Sequence, residues 1–209
     1  MKIGDIKLEA LRLMFATVGD LDASRIAEAE GDAELAVYLS SMPGSINRAL
    51  GDLETRRALP LCRRVIGYEE WEETGELLTL TLSPLDMICE AVRLFRESDG
   101  EELPLGLAGD TLNTRGVRHG ERCVLLYRPR IRRVLPWENE GELEGVPDCV
   151  AALIPYFIKG ELFREDDPNE AGEAINRYEG ALETLLKNTE ERSVAASTRV
   201  HTVYSQTGI

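Results

Sequence analysis

The sequence predicts an α+β fold that is mainly α: a helical bundle core, a small antiparallel β-sheet inserted into it, and an extended C-terminal tail. Three observations lead there. Apolar residues recur at i, i+3, i+4, i+7 in residues 1–60 and again in 146–190, as a helix with one buried face requires. Between 61 and 145 the period shifts toward two and Gly, Pro, Asn and Asp punctuate the chain. Beyond residue 190 the Ser/Thr-rich run SVAASTRVHTVYSQTGI holds few large apolar side chains. The expected organisation is one helical domain made of 1–60 and 146–190, a β-rich sub-domain at 61–145 and a tail at 191–209.

A first helix carries Leu11, Met14, Phe15 and Val18 on one face and breaks at Gly19-Asp20. A short second helix starts at Asp22 or Ser24. A third presents Leu35, Tyr38, Leu39 and Met42, and Pro43-Gly44 interrupts it. Ser45 then caps a further helix with Ile46, Ala49, Leu50 and Leu53 on its stripe, closed by Leu59-Pro60. In the middle segment the expected strands are 62–68, 76–82, 103–107 and 122–131. One helix separates them, introduced by Pro84-Leu85-Asp86, carrying Ile88, Val92 and Phe95, and stopped by Ser98-Asp99-Gly100. Loops are expected at 106–122 and 137–145. The C-terminal helices begin with Val150, Leu153, Ile154, Phe157 and Ile158, kinked at Pro155. After a tight acidic turn, Asp167 caps, Pro168 occupies the first helical position and Glu170 completes a capping box. Ala171, Ala174, Ile175, Tyr178, Ala181, Leu182 and Leu185 mark the buried face that follows.

Charge narrows the function classes. The 209 residues hold 38 acidic and 24 basic side chains, a formal net charge of -14, with 43% apolar residues. Such a chain buries a core, and its acidic surface opposes non-specific attraction to nucleic acid. Its longest apolar stretch, 149–158, is broken by Pro155 and falls short of the roughly 20 residues a membrane span needs. The expectation is a cytoplasmic protein with no membrane partner. Cys62, Cys89, Cys123 and Cys149 are too widely spaced for a metal knuckle and read as reduced, mostly buried side chains.

Chemistry finds little purchase. His119 and His201 are the only histidines, one in a Gly-flanked loop and one in the tail, so a scaffolded histidine base is not expected. The acidic runs at 165–167 and 69–73 have local explanations in helix capping and a solvated strand end. GxxxxGK[ST], GxGxxG, GxSxG and HExxH motifs do not occur. No cofactor, metal or catalytic residue is expected.

Positive charge concentrates in one place, with Arg115, Arg118, Arg122, Arg128, Arg130, Arg132 and Arg133 close in sequence. On an extended strand, Arg128, Arg130 and Arg132 would share a face. Three readings remain open: contact with nucleic acid, pairing with the acidic surface of a neighbouring subunit, and charge that guards an edge strand against aggregation.

The ordered features resemble the head-to-tail connector, or adaptor, proteins of tailed bacteriophages and prophages. The most specific piece is VPDCVAALIPYFIKGELFREDDPNEAGEAINRYEGAL, similar to that family's C-terminal helix pair through Pro155, Tyr156, Leu162, Asp166, Asp167, Pro168, Ala171, Tyr178 and Glu179. SINRALGDLETRRALP at 45–60 and ERCVLLYRPRI at 121–131 resemble its central helix and a later strand. The resemblance implies a non-enzymatic virion protein assembled as a ring of twelve copies beneath a portal, bound to portal above and a tail or neck protein below. DNA would pass through it without specific binding. An acidic bore would let the genome slide, and the tail, with Arg199, Val203, Tyr204 and Ile209, would insert against a neighbour. The alternatives are another neck or tail-completion component, or a small acidic intracellular binding module.

Overall fold

The apolar repeat near the start forms helix α1 (Ile3–Met14), which buries Ile3, Ile6, Leu8, Ala10, Leu11 and Met14. The computed structural model describes residues 1–15, 33–83 and 88–204, with side chains for all of these except 34 and 188–204. The Gly19-Asp20 break and the expected second helix lie outside the described residues. The first N–H groups of a helix have no partner within it. In α1, Ile3 N–H donates to the Gly141 carbonyl at 2.9 Å and Gly4 N–H to that of Asn139 at 2.8 Å. Lys7 is buried, and its ammonium is satisfied by the Glu138 carbonyl at 3.0 Å and Asn139 Oδ1 at 2.7 Å.

Helix α2 (Ala33–Thr55) runs straight through Pro43, where an interruption was expected, and Ser45 lies buried inside the helix rather than capping one. The reason is the shared face. Leu39, Met42, Ile46, Ala49, Leu50 and Leu53 form one buried stripe, and each large side chain on it is worth about 1.5–3 kcal/mol. Together they outweigh the roughly 3 kcal/mol cost of an interior proline. The helix ends with Arg57 in the left-handed region at φ 58, Ala58 N–H on the Leu53 carbonyl and Arg57 N–H on that of Glu54. Glycine usually fills that position.

The C-terminal helices are α3 (Asp148–Ala151), α4 (Ile154–Leu162) and α5 (Pro168–Tyr204). Pro155 breaks the expected kinked helix into α3 and α4, taking the first turn of α4. Asp167 caps α5, its Oδ1 accepting Asn169 N–H at 3.1 Å and Glu170 N–H at 3.0 Å. The Asp167 N–H is already spent on the Phe163 carbonyl. Glu170 instead pairs with Lys159. α4 and α5 approach closely because Gly160 has no Cβ; one placed there would stand 2.4 Å from the Ile175 side chain. Tyr178 is fully buried, its hydroxyl donating to Asp52 at 2.8 Å, and Arg56 clasps both Asp52 and Glu179, tying α2 to α5.

The tail expected to be extended is instead the continuation of α5 as far as Tyr204; residues 205–209 lie outside the described residues. No Gly or Pro occurs between Gly180 and Gly208 to stop a helix that nucleation has already started.

The middle of the chain forms its own unit, Leu59–Arg132, while Met1–Ala58 and Arg133–Ile209 form the helical one. The stretch 133–145, assigned with the β-rich segment from sequence, belongs with the helices. There Arg133 holds the Asn47 carbonyl and Glu54, and residues 138–141 cover the start of α1.

In the β unit the strands are β1 (Cys62–Gly67), β2 (Glu72–Thr74), β3 (Leu77–Thr81), β4 (Ile88–Arg96), β5 (Glu102–Leu103), β6 (Leu105–Ala108), β7 (Thr111–Thr114) and β8 (Arg122–Pro129). They make two antiparallel four-stranded sheets, ordered β1-β8-β4-β5 and β2-β3-β7-β6. Ile66, Trp71, Leu78, Leu80, Leu94, Leu103, Leu112, Cys123 and Leu125 from both sheets share one core. Gly75 and Gly109 adopt the positive φ values that turn the β2–β3 and β6–β7 hairpins. Arg96 is 8% exposed and clamps the surrounding loops through Asp99, Glu101, Glu121 and the Gly116 carbonyl.

Two expectations fall here. The helix over Ile88, Val92 and Phe95 is strand β4. The helical bundle core with a small inserted sheet is likewise overturned, because the described residues set two four-stranded antiparallel sheets beside the helices, a mixed α/β protein. The tryptophans are divided between the units: Trp71 is 6% exposed in the β core, and Trp137 is 76% exposed in the helical unit.

Replacing Arg57 by Gly is expected to raise stability by about 1 kcal/mol, since the left-handed conformation no longer costs a Cβ clash; urea denaturation measures it. Burial and the bond to Asp52 hold the Tyr178 phenol well above its ordinary range. The unfolded phenol ionises near pH 10, at about its ordinary value. The stability it contributes is therefore complete below that pH and is lost as pH climbs beyond it. Tyr178→Phe should cost about 1–2 kcal/mol at neutral pH and flatten the alkaline loss, read by denaturation at neutral and at strongly alkaline pH.

Candidate interaction surface

Strand β8 pairs with β1 on one side and β4 on the other, so its alternation builds two surfaces at once. Cys123 and Leu125 point into the core. Arg122, Val124, Leu126 and Arg128 take the opposite face. The register adds Arg63 and Val65 from β1, opposite Leu126 and Val124, and Arg93 and Phe95 from β4, opposite the same two residues. The result is an apolar band of Val65, Val124, Leu126 and Phe95 crossing three strands, with Val65 41% exposed.

Charge frames this band. Glu97 lies between Arg122 at 2.8 Å and Arg63 at 3.4 Å; Arg128 meets Glu90 at 3.2 Å and Arg93 meets Glu102 at 3.9 Å. Pairs of this exposure contribute about 0–1 kcal/mol each. Their worth lies in holding long side chains upright around an apolar centre, the arrangement of a protein–protein contact.

The arginine-rich segment is therefore distributed rather than presented as one patch. Arg122 and Arg128 frame the band. Arg130 and Arg132 lie past the end of β8 at Pro129 and do not continue its face. Arg115 and Arg118 are exposed on the loop after β7, beside His119, whose ring packs on Tyr68 at 5.0 Å. That loop is fixed by buried Val117 and by the bond from Arg96 to the Gly116 carbonyl. Arg133 belongs to the helical unit. Arg199, Val203 and Tyr204 lie on α5 without described side chains, and Ile209 is outside the described residues.

The helix-pair residues do structural work. Pro155 and Tyr178 are buried, Asp167 and Pro168 start α5, and Glu170 holds Lys159. Asp166 accepts the Tyr38 hydroxyl at 2.5 Å, and Tyr156 is half-buried. Among the described residues no group of three or more His, Cys, Asp or Glu side chains is placed to hold a metal ion. Cys62 is half-buried and Cys89 and Cys149 are exposed; burial holds the Cys123 thiol above its ordinary range, so Cys123 alone matches the expectation of buried cysteines. No helix among the described residues is long and apolar enough to cross a membrane.

The chain matches no protein-family model and no curated protein sequence.

Sequence reasoning missed Arg63, Val65, Arg93 and Phe95. The alternation in RCVLLYR signals a two-faced strand, but which neighbours flank it depends on register, which only pairing reveals. Val65→Lys is expected to leave stability within about 0.5 kcal/mol, whereas Leu125→Ala, one residue from the band but inside the core, should cost about 2–5 kcal/mol. Thermal denaturation of the two variants beside the wild type measures the difference.

Proposed function

We propose that this chain is a non-enzymatic structural subunit of a tailed phage or prophage particle, a head-to-tail connector that docks as a ring beneath the portal and joins head to tail. The observation that carries the reading is the apolar, arginine-framed face of the β1-β8-β4 sheet, which is suited to protein contact rather than to catalysis. The resemblance of 146–182 to the connector helix pair supplies the context. Its matching residues serve capping and packing, as a scaffold element would require.

Ring assembly needs two different faces on each copy, because a rotating contact closes only if one surface meets another. The net charge of -14 suits a bore that DNA traverses without adhering. Mixing the purified protein with the portal of the same particle and viewing it by electron microscopy is expected to show rings of about twelve subunits on one end of the portal. Free portal alongside unbound protein at high concentration would overturn the connector role, and stoichiometric divalent-metal binding would redirect the search toward enzyme chemistry.

A further inference from the structure

Helix α5 holds two features at opposite ends that complement each other. Leu182 is the last buried side chain among its described residues, yet the helix continues to Tyr204, about 33 Å further at 1.5 Å per residue. This distal segment differs in charge from the rest of the chain. Residues 192–209 contain Arg192, Arg199 and His201 and no Asp or Glu, in a protein of net charge -14. At 100° per residue, Ala196, Val200 and Val203 fall on one arc of the helix with Arg192 and Arg199. The segment thus has an apolar stripe with two cations on it. A helix of that composition is marginal in water without a surface to cover.

The other end of α5 provides such a surface. Between the first turns of α2 and the turn joining α4 to α5 lies a groove of about 670 Å³. Val37, Tyr38 and Leu162 give it an apolar floor, and Val37 is 64% exposed. Exposed Glu165 and Asp166 line it together with one cation, Arg164, while a third carboxylate, Glu161, is already held by Arg48 at 2.7 Å. Asp166 meets the neutral Tyr38 hydroxyl, so its charge is not compensated by that bond.

We infer that residues 192–204 of one copy dock into the Val37–Leu162 groove of a second copy, Arg192 and Arg199 meeting Glu165 and Asp166. A copy cannot fill its own groove. Arg199 stands some 31 residues along a continuous helix from Pro168, roughly 45 Å away, and a helix cannot double back. The contact is consequently heterologous: each copy gives a helix and receives one, which generates rings or open chains according to the rotation per step. The inference deepens the self-assembly part of the proposed function without resting on its phage context.

A charge exchange in the full-length protein tests it. Sedimentation velocity from about 1 to 300 µM is expected to show concentration-dependent association of the wild type. Arg192→Glu/Arg199→Glu, and separately Glu165→Lys/Asp166→Lys, should each raise the midpoint roughly tenfold or more. An equimolar mixture of the two variants should restore association, since each tail then finds a groove of opposite charge. Val37→Lys, at an exposed position, provides a second groove variant that spares the core and is expected to weaken association likewise. A wild type that stays monomeric throughout, variants that associate like wild type, or a mixture that fails to recover would each overturn the docking. If rings still form on the portal in any of those cases, the connector reading survives and the docking does not.

Discussion

Hydrogen bonding on both edges of β8 is the constraint from which the β unit follows. A strand paired on two sides cannot shift by one residue without turning Cys123 and Leu125 out of the core and Val124 and Leu126 into it. The buried side of β8 fixes the register of β1 and β4, and that register alone assembles Val65, Val124, Leu126 and Phe95 into a band on the outer side. The candidate surface thus takes its position from core packing and its character from the residue types that fall on the outer side. Arg96 adds a second constraint at the end of β4: three carboxylates and a carbonyl converge on its guanidinium, so the 99–101 turn and the 116–121 loop hold one conformation relative to the sheet.

In the helical unit, α5 plays the organising part. Its first half is anchored where Ala171 faces Gly160 of α4, letting the two helices come close, and by Tyr178, whose buried hydroxyl is matched to Asp52 on α2. A phenol buried without that partner would cost about 1–3 kcal/mol, so the α2 and α5 sequences are coupled through one bond. Arg56, Asp52 and Glu179 extend the coupling to the surface, where solvent weakens it. The second half of α5 carries a different composition, and that change coincides with the end of the buried face.

Much of this was legible in the sequence where local signals and burial agree. The Asp167-Pro168 start of α5, the stripe from Ile46 to Leu53 and three of the four strands read from alternation lie where expected, whereas the strand expected over 103–107 is divided at Pro104 into β5 and β6, which join different sheets. The failures are equally specific. β4 carries register shifts between Ile88 and Glu90 and between Ala91 and Arg93, so its inward residues, Ile88, Ala91 and Leu94, recur every third position and imitate a helix. Pro43 is a stop signal overruled by the face it shares with Met42 and Ile46. β7 is four residues long inside a Gly-rich stretch, and its pattern is visible only beside β3 and β6. These misreadings added up to an error of fold class, since the β content they hid turns a presumed small insertion into a two-sheet unit. The apolar band on that unit was half legible, because β8 shows it and its neighbours do not.

The placement of the tryptophans gives the two units separate optical signatures. Trp71 is enclosed by the β core with its indole N–H unpaired, and Trp137 stands in water on the helical unit. Loss of the β core would move the Trp71 environment from apolar to aqueous, while Trp137 starts in water and has little further to go. Red-shift of the intrinsic emission therefore follows the insertion alone, and far-ultraviolet circular dichroism, dominated by helix, follows the remainder. A chain whose two units melt at different temperatures would declare it without any added label.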